Sequence, residues 1–167
     1  VMRAYIGLGS NLGGPEQQLR KALQNIEQIE RSRITAISRF YRSAPMGPAN
    51  QPDYCNAACT LETELPARQL LEALIGIERA LGRERGVERW GPRLLDLDLL
   101  HVEGLELDET GLKLPHPGLM QRNFVLVPLA EIAPTLEIPH AGSVAQAAQR
   151  IGQEGLEPWH REEFLQE

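Results

Sequence analysis

Lysine, cysteine, aromatic residues and long apolar runs are all scarce in this sequence. Of its 17 basic residues only Lys21 and Lys113 are lysines, and the formal net charge at pH 7 is −6. A protein that binds nucleic acid through its charge needs a net basic surface, so we expect no nucleic-acid partner. No segment has the roughly 20 apolar residues that cross a bilayer, and the start of the chain does not resemble a secretory signal. We therefore expect a cytoplasmic protein without a membrane partner.

The two cysteines, Cys55 and Cys59, are four residues apart in a segment with strand-forming composition. This spacing places both side chains on one face of a strand. Neither a second cysteine pair nor a nearby histidine pair completes a zinc site, and structural disulfides are rare in cytoplasmic proteins. We expect both thiols to be small buried apolar groups.

The length of the chain predicts one domain, spanning residues 1–167. Apolar periodicity and turn residues predict a strand, a helix, two strands, a helix and a strand, at residues 2–8, 15–30, 34–41, 54–62, 66–82 and 94–102. That order is typical of a ferredoxin-like βαββαβ core, an α+β fold whose antiparallel sheet is flanked by helices. Added elements are predicted to be a hairpin at 102–115, a strand or short helix at 124–134, and a helix at 143–151 with Ser143 as its N-cap.

The strongest local signal is the segment Leu-Leu-Asp-Leu-Asp-Leu-Leu at residues 94–100. Because side chains alternate along a strand, Asp96 and Asp98 project from one face and the intervening leucines from the other. Two like charges this close need a compensating cation. Magnesium is a hard ion that one or two carboxylates hold together with substrate phosphates. The alternative is an edge strand whose polar face is wetted by solvent.

Arginine is concentrated just before this strand. Five arginines lie within fifteen positions, namely Arg79, Arg83, Arg85, Arg89 and Arg93. The glycine-rich segment from residue 82 to 93 predicts a long loop, and Trp90 within it fits a ligand-stacking or loop-packing group. Guanidinium groups would bind phosphate oxygens from one side while magnesium neutralises them from the other. The combination predicts phosphoryl transfer, with a solvated charged helix end as the alternative.

Other nucleotide-binding patterns are incomplete. A dinucleotide fingerprint starting at Gly7 fails because its last position is Leu12. A glycine-serine turn with an Asp-x-Asp strand is also typical of nucleotidyltransferases, although Ser10 and Asp96 lie far apart. The alternatives that stay open are a nucleotidyltransferase and a non-catalytic ferredoxin-like binding module.

Several separated motifs, in the same order, resemble the 6-hydroxymethyl-7,8-dihydropterin pyrophosphokinase family of folate biosynthesis. They lie at residues 5–12, 51–58, 89–100, 115–117 and 124–129. The resemblance implies transfer of pyrophosphate from ATP to the pterin, which gives the pterin diphosphate and AMP. It also implies two magnesium ions on Asp96 and Asp98, catalytic roles for these aspartates and for Arg83 and Arg93, and small-molecule partners only. We expect the enzyme to be a monomer.

The same resemblance assigns the two substrate sites. It implies a pterin site in which Tyr54 and Phe124 sandwich the ring, formed by Ser43, Pro45, Met46, Tyr54, Asn56 and Phe124. It implies an ATP site formed by Glu78, Arg85, Trp90, Arg93, Leu99, His116 and Arg122.

Overall fold

The computed structural model describes residues 1–44, 51–84 and 95–160, with side chains as far as residue 82 in the second of these segments. The first part of the chain forms β1 (Met2–Ser10), α1 (Pro15–Glu27), β2 (Ser32–Ile37), β3 (Tyr41–Ser43), β4 (Tyr54–Thr63), α2 (Ala67–Glu84) and β5 (Asp96–Val102). The rest forms β6 (Leu107–Glu109), β7 (Leu112–Leu114), a 3-10 turn (Leu119–Gln121), α3 (Asn123–Ile132), β8 (Glu137–Ile138), β9 (Gly142–Ser143), α4 (Val144–Ile151) and β10 (Leu156–Pro158).

A six-stranded antiparallel sheet organises the molecule. The central strand β1 pairs with β4 on one side and with β5 on the other, while β2 and β3 both pair with β4 and β10 pairs with β3. The order of the core strands, with β1 and β4 inside and β5 and the β2/β3 strands outside, is that of a ferredoxin-like fold. The predicted α+β fold class is confirmed.

Helices α1 and α2 cover one face of this sheet. Alternate residues of β1, such as Ile6 and Leu8, point to that face and pack with Leu19 of α1 and Leu70 of α2 in the larger apolar cluster. This two-residue period explains why a strand that contains two glycines and a serine still forms the centre of the sheet.

The cysteines lie in the same cluster, as their spacing predicted. Cys55 and Cys59 are both fully buried, and neither forms a disulfide. Burial raises the pKa of the Cys59 thiol to about 12, and the carboxylate of Glu27 acts in the same direction. Both side chains therefore pack as small apolar groups in the core.

The opposite face of the sheet has three zones. In the middle, Leu100 and Ala58 pack against Leu126 and Leu129 of α3. At one end lie the two aspartates of β5. At the other end is a cavity of about 450 Å³, which we call the distal cavity, lined among others by Tyr5, Thr60 and His101.

Several predicted elements differ from those observed. The strand predicted at 34–41 is divided into β2 and β3, because Ser38 makes two hydrogen bonds to Ala58, one through its backbone N–H and one through its side-chain oxygen, both at 2.9 Å. Helix α2 was predicted to end at Gly82 but continues to Glu84. The short strand β10 was not predicted.

The added elements largely follow the predictions. The hairpin forms as β6 and β7, and the uncertain segment at 124–134 is the helix α3. Ser143 caps α4, since its side chain accepts a hydrogen bond from the backbone N–H of Gln146. None of the described helices is both long enough and apolar enough to cross a membrane.

His101 beside the distal cavity is 2% exposed, and its ring stacks on Tyr5 with the centroids 6.4 Å apart. Burial lowers the pKa of His101, although the carboxylates of Glu103 and Glu106 oppose this shift. The folded protein therefore favours the neutral imidazole.

We expect the free energy of unfolding to fall as the pH drops below about 6.5, because the unfolded chain then binds a proton that the folded His101 resists. His101→Gln removes this titration and should reduce the stability lost between about pH 8 and about pH 5. Urea denaturation at both pH values measures the difference. The control is His140→Gln, since that side chain is 84% exposed. If both substitutions reduced the pH-dependent loss of stability equally, the burial of His101 would not be the cause of that loss.

Candidate active site

A cavity of about 200 Å³ lies on the sheet face where β5 begins, between the sheet and the start of α3. We call it the aspartate cavity. Residues predicted from the sequence that line it are Ser43, Tyr54, Asn56, Asp96, Asp98, Arg122 and Phe124. These side chains come from four separate elements, β3, β4, β5 and the start of α3, so the fold brings the four described residues of the predicted pterin site together with the two aspartates.

The two aspartates share one face of β5, as the alternation predicted. Leu95, Leu97 and Leu99 are 3–5% exposed, whereas Asp96 and Asp98 are half-buried and line the cavity. The leucines anchor the strand in the core, so the carboxylates are held on the opposite side by the pleat.

Glycines of the central strand form the floor of the cavity. Gly9 lies between Asp96 on β5 and Asn56 on β4 in the sheet register, and Gly7 lies opposite Asp98. A Cβ atom on Gly9 would lie 3.5 Å from Asn56 Oδ1 and 4.0 Å from a ring carbon of Tyr54. The missing side chains therefore leave open space between the aspartates and the polar and aromatic residues of β4.

Asn56 is held in one orientation by β3. Its side-chain nitrogen donates to Ser43 Oγ at 2.8 Å and weakly to the Tyr41 carbonyl at 3.5 Å. The amide nitrogen is thus engaged within the protein, while Oδ1 lies on the side of Gly9 and is an acceptor for a ligand on the cavity floor. Next to it, burial and the charge of Asp96 raise the pKa of Tyr54, which stays a neutral phenol.

Glu78 of α2 supports the aspartates from behind. Its carboxylate accepts a hydrogen bond of 2.7 Å from the backbone N–H of Leu97, the residue between Asp96 and Asp98. Glu78, predicted as an ATP ligand, is not among the residues that line the cavities described here. In the described structure it fixes the backbone that carries both carboxylates.

A second cavity of about 290 Å³ adjoins the first and shares Asp98 with it. We call it the histidine cavity. The predicted ATP residues Leu99 and His116 line it, together with Leu71 of α2 and Leu112 of β7. It has apolar walls and a polar end at His116 and Asp98.

The orientation of His116 is set by its own turn. Its Nδ1 atom accepts a hydrogen bond of 3.0 Å from the Gly118 N–H, so Nε2 carries the proton of the neutral ring. Nε2 lies 3.9 Å from Asp98 Oδ1. Arg122, also predicted for ATP, lines the aspartate cavity instead, with its guanidinium carbon 6.0 Å from the centre of the Phe124 ring.

Some predicted site residues lie outside the described residues, namely Pro45, Met46, Arg85, Trp90 and Arg93. Arg83 belongs to the last turn of α2, but its side chain is also outside the described part. Their predicted roles stay predictions.

The sequence reasoning missed the residues that give both cavities their shape. Gly7 and Gly9 are the floor of one, and Leu71 and Leu112 are walls of the other. The glycines had a usable signal, because their spacing of two on a predicted strand places both on one face. The leucines had none, since they look like ordinary core residues of a helix and a hairpin.

The donor set around the aspartates fits magnesium better than a softer metal. Among the described residues no group of three or more histidine, cysteine, aspartate or glutamate side chains is arranged to hold a metal ion. A pair of carboxylates is nevertheless a common protein contribution to a magnesium site, because this ion keeps several waters and binds substrate phosphates. Asp96 and Asp98 supply such a pair at the open edge of a cavity.

Fold and site together define a ferredoxin-like domain with paired carboxylates beside an aromatic ligand cavity. The family model for 7,8-dihydro-6-hydroxymethylpterin-pyrophosphokinase (HPPK) matches residues 5–134. The chain belongs to this family.

Bacterial relatives are similar over nearly the whole chain. The chain is 42% identical over 157 residues to the 2-amino-4-hydroxy-6-hydroxymethyldihydropteridine pyrophosphokinase of Pseudomonas aeruginosa, covering 94% of this chain and 96% of that protein. It is 42% identical over 151 residues to the protein of the same name from Haemophilus influenzae, covering 90% and 94%. The protein of that name from Bacillus subtilis is 38% identical over 164 residues, covering 98% and 94%.

A solved structure supports the fold. The Plasmodium falciparum HPPK-DHPS triple mutant with pteroate superposes with a TM-score of 0.70 at 10% identity, covering 94% of this chain. The chain spans 46% of the length of that protein. At this identity the likeness is evidence for the fold alone.

Ser43→Ala should lower the free energy of unfolding by about 1–3 kcal/mol, because the buried Asn56 amide loses the acceptor of its short hydrogen bond. Ser43→Thr keeps the hydroxyl and should retain most of the stability. Chemical denaturation of the three proteins measures the effect. Equal stability of the alanine and wild-type proteins would show that Ser43 does not hold Asn56.

Proposed function

We propose that this chain is a single-domain, magnesium-dependent enzyme that transfers the pyrophosphoryl group of ATP to 6-hydroxymethyl-7,8-dihydropterin. The observation that carries the proposal is the shared floor of the aspartate cavity, where Gly9 separates Asp96 from Asn56. The carboxylate that would bind the metal and the amide that would bind the ring thus lie on the two strands that flank β1, on one face of the sheet. Membership of the HPPK family and the names of the bacterial relatives support the same reaction.

The pterin ring would lie on the glycine floor between Tyr54 and Phe124. Flat heteroaromatic rings bind well between aromatic faces with a few polar contacts at the edge. Asn56 Oδ1 would accept a hydrogen bond from a ring N–H group, since Ser43 occupies the amide nitrogen. Ser43 itself borders the cavity, and Pro45 and Met46 would complete this side, as the family resemblance implies.

Magnesium would be held by Asp96 and Asp98, and the family resemblance implies two ions. When bound, the metal neutralises phosphate charge and orients the triphosphate. The two aspartates are suited to this because the sheet fixes them beside the ring-binding residues, and because Glu78 holds the peptide between them.

The nucleoside of ATP would occupy the histidine cavity, with Leu71 and Leu112 as apolar walls. Because Asp98 belongs to both cavities, the triphosphate would run past it toward the pterin hydroxymethyl group. His116, Leu99 and Arg122 would contact ATP. Further ATP contacts follow from the family resemblance and are proposed for Glu78, Arg85 and Trp90, while Arg83 and Arg93 would bind the transferring phosphates.

In the reaction, the pterin hydroxymethyl oxygen forms a bond to the β-phosphorus. The bond between that phosphorus and the oxygen bridging to the α-phosphate breaks, AMP leaves with this oxygen, and the hydroxyl proton is released. Such transfers depend on positioning and charge neutralisation more than on covalent catalysis. The sheet would supply the positioning, since the acceptor and the phosphates would be bound by the two strands on either side of β1.

Asp96→Asn and Asp98→Asn should each lower the rate of AMP formation from ATP and hydroxymethyldihydropterin by about a thousandfold or more, roughly 4 kcal/mol in the barrier, because each removes a carboxylate that holds the metal. Chromatography of the nucleotide products measures the rate. The matched control is Asp108→Asn, on the exposed part of the hairpin. Full activity in either site variant would exclude the proposed metal role. Release of pyrophosphate rather than AMP by the wild type would instead identify a nucleotidyltransferase.

Substitutions of Gly9 test the location of the pterin. Gly9→Ala adds a Cβ at ordinary contact distances and should weaken pterin binding little. Gly9→Val fills the floor and should weaken it by about tenfold or more, while leaving the affinity for a magnesium complex of a non-hydrolysable ATP analogue unchanged. Calorimetric titration measures both affinities. Equal pterin binding by the valine variant would place the ring elsewhere.

The other expectations stay predictions, namely that the enzyme is a monomer, acts in the cytoplasm and does not bind nucleic acid. The described C-terminal residues support one domain over residues 1–167, because β10 extends the same sheet by pairing with β3.

A further inference from the structure

Helix α3 carries Phe124, one wall of the aspartate cavity, and two stripes of side chains fix the helix on the sheet. One stripe, with Leu126 and Leu129, packs on the middle of the sheet. The other consists of Phe124, Val127 and Glu131, which share a helix face because of their spacing of three and four residues. The rotation of α3 about its own axis therefore depends on both stripes.

Tyr41 of β3 is the main partner of the second stripe. It is 6% exposed and forms an apolar cluster with Val127 and Leu156, against which Phe124 packs. Tyr41 is also the register partner of Asn56 on β4, so both side chains lie on the same face of the sheet. One residue thus connects the aromatic wall on α3 with the polar residue on β4.

Glu131 connects the C-terminal end of this stripe to Tyr41 and Arg39 by hydrogen bonds. Its carboxylate accepts hydrogen bonds from the Tyr41 hydroxyl at 2.5 Å and from the Arg39 backbone N–H at 2.8 Å, and the Arg39 guanidinium lies 3.8 Å away. Arg39 stands in the break between β2 and β3. The break between β2 and β3 thus supplies a backbone N–H that donates to Glu131 of the helix.

We propose that Tyr41 and Glu131 are positioning residues for the pterin, which set the distance between the Phe124 wall on α3 and the Tyr54 wall on β4. The proposal rests on the proposed function, because it assigns the sandwich to the pterin ring. Neither residue lines the aspartate cavity, so both act through Phe124 and Asn56 rather than by contact with the substrate. The histidine cavity proposed for the nucleoside of ATP does not depend on them, because it is built on α2, β5 and β7 with the turn at His116 and Pro117.

The test uses Tyr41→Phe, Glu131→Gln and the double variant. Each single substitution keeps the shape of the side chain and removes or weakens a charge-assisted hydrogen bond. We expect the dissociation constant of hydroxymethyldihydropterin to rise by about three- to tenfold. The affinity for the magnesium complex of a non-hydrolysable ATP analogue should change much less, because the histidine cavity contains no residue of α3. The double variant should bind the pterin about as well as the single variant that has lost more affinity, since both substitutions break one shared contact.

Tyr5→Phe is the matched control. The Tyr5 hydroxyl also donates to a glutamate, Glu103, on the same sheet face, but at the distal cavity. This variant should change thermal stability and not pterin affinity. Thermal unfolding of all four variants separates loss of fold from loss of positioning.

The outcomes distinguish this proposal from the proposed function. If the wild type does not bind hydroxymethyldihydropterin, the proposed function fails and the positioning role with it. If the wild type binds it and Tyr41→Phe and Glu131→Gln bind it equally well, only the positioning role is overturned. The same conclusion follows if pterin and ATP-analogue affinities fall together, or if Tyr5→Phe has the same effect.

Discussion

The antiparallel register of β1 with its two neighbours is the constraint on which the site depends. Once Gly9 lies opposite both Asp96 and Asn56, a carboxylate, an open floor and an amide form one row across three strands. A shift of one residue would turn every side chain to the other face of the sheet and move the aspartates into the apolar core. The core itself prevents that shift, because the buried leucines of β5 and the aliphatic residues of β1 would then face solvent.

The two faces of the sheet differ: one carries the larger apolar core and the other the aspartate cavity. Its helix-covered face holds most of the apolar residues, including the cysteines, and can be tightly packed without reference to a ligand. The other face carries one apolar cluster in its middle zone, where α3 packs, and a smaller one around Tyr41. Toward one end of that face Phe124 of α3 borders the aspartate cavity, and toward the other end Ile132 borders the distal cavity, so both cavities lie where an end of α3 meets the sheet.

Helix α3 is consequently both a structural and a functional element. Its Leu126 and Leu129 complete the second core cluster, while Arg122 and Phe124 at its start border the aspartate cavity. Because a rigid helix transmits rotations along its length, the positioning role that we propose would let polar contacts at Glu131 act on the Phe124 wall two turns away.

Sequence periodicity was sufficient for the elements and for the aspartate pair. The alternation at Asp96 and Asp98 is a local property of an extended strand, and the order of strands and helices restricted the fold to few topologies. Periodicity was insufficient where a segment could form more than one structure and a contact with a residue far along the chain selected one of them. Ser38 divides an otherwise continuous strand because of Ala58, and residues 124–134 form a helix because an apolar sheet face is available to cover.

By itself the sequence determined which side chains share a face, the carboxylate pair on an otherwise apolar strand, and the family through its ordered motifs. The tertiary structure decided that Glu78 supports the Leu97 peptide, that His116 faces Asp98, and that Tyr41 meets Glu131. The physical reason is separation along the chain: each of these contacts joins segments whose spacing carries no periodic signal, so only the packing of whole elements fixes them.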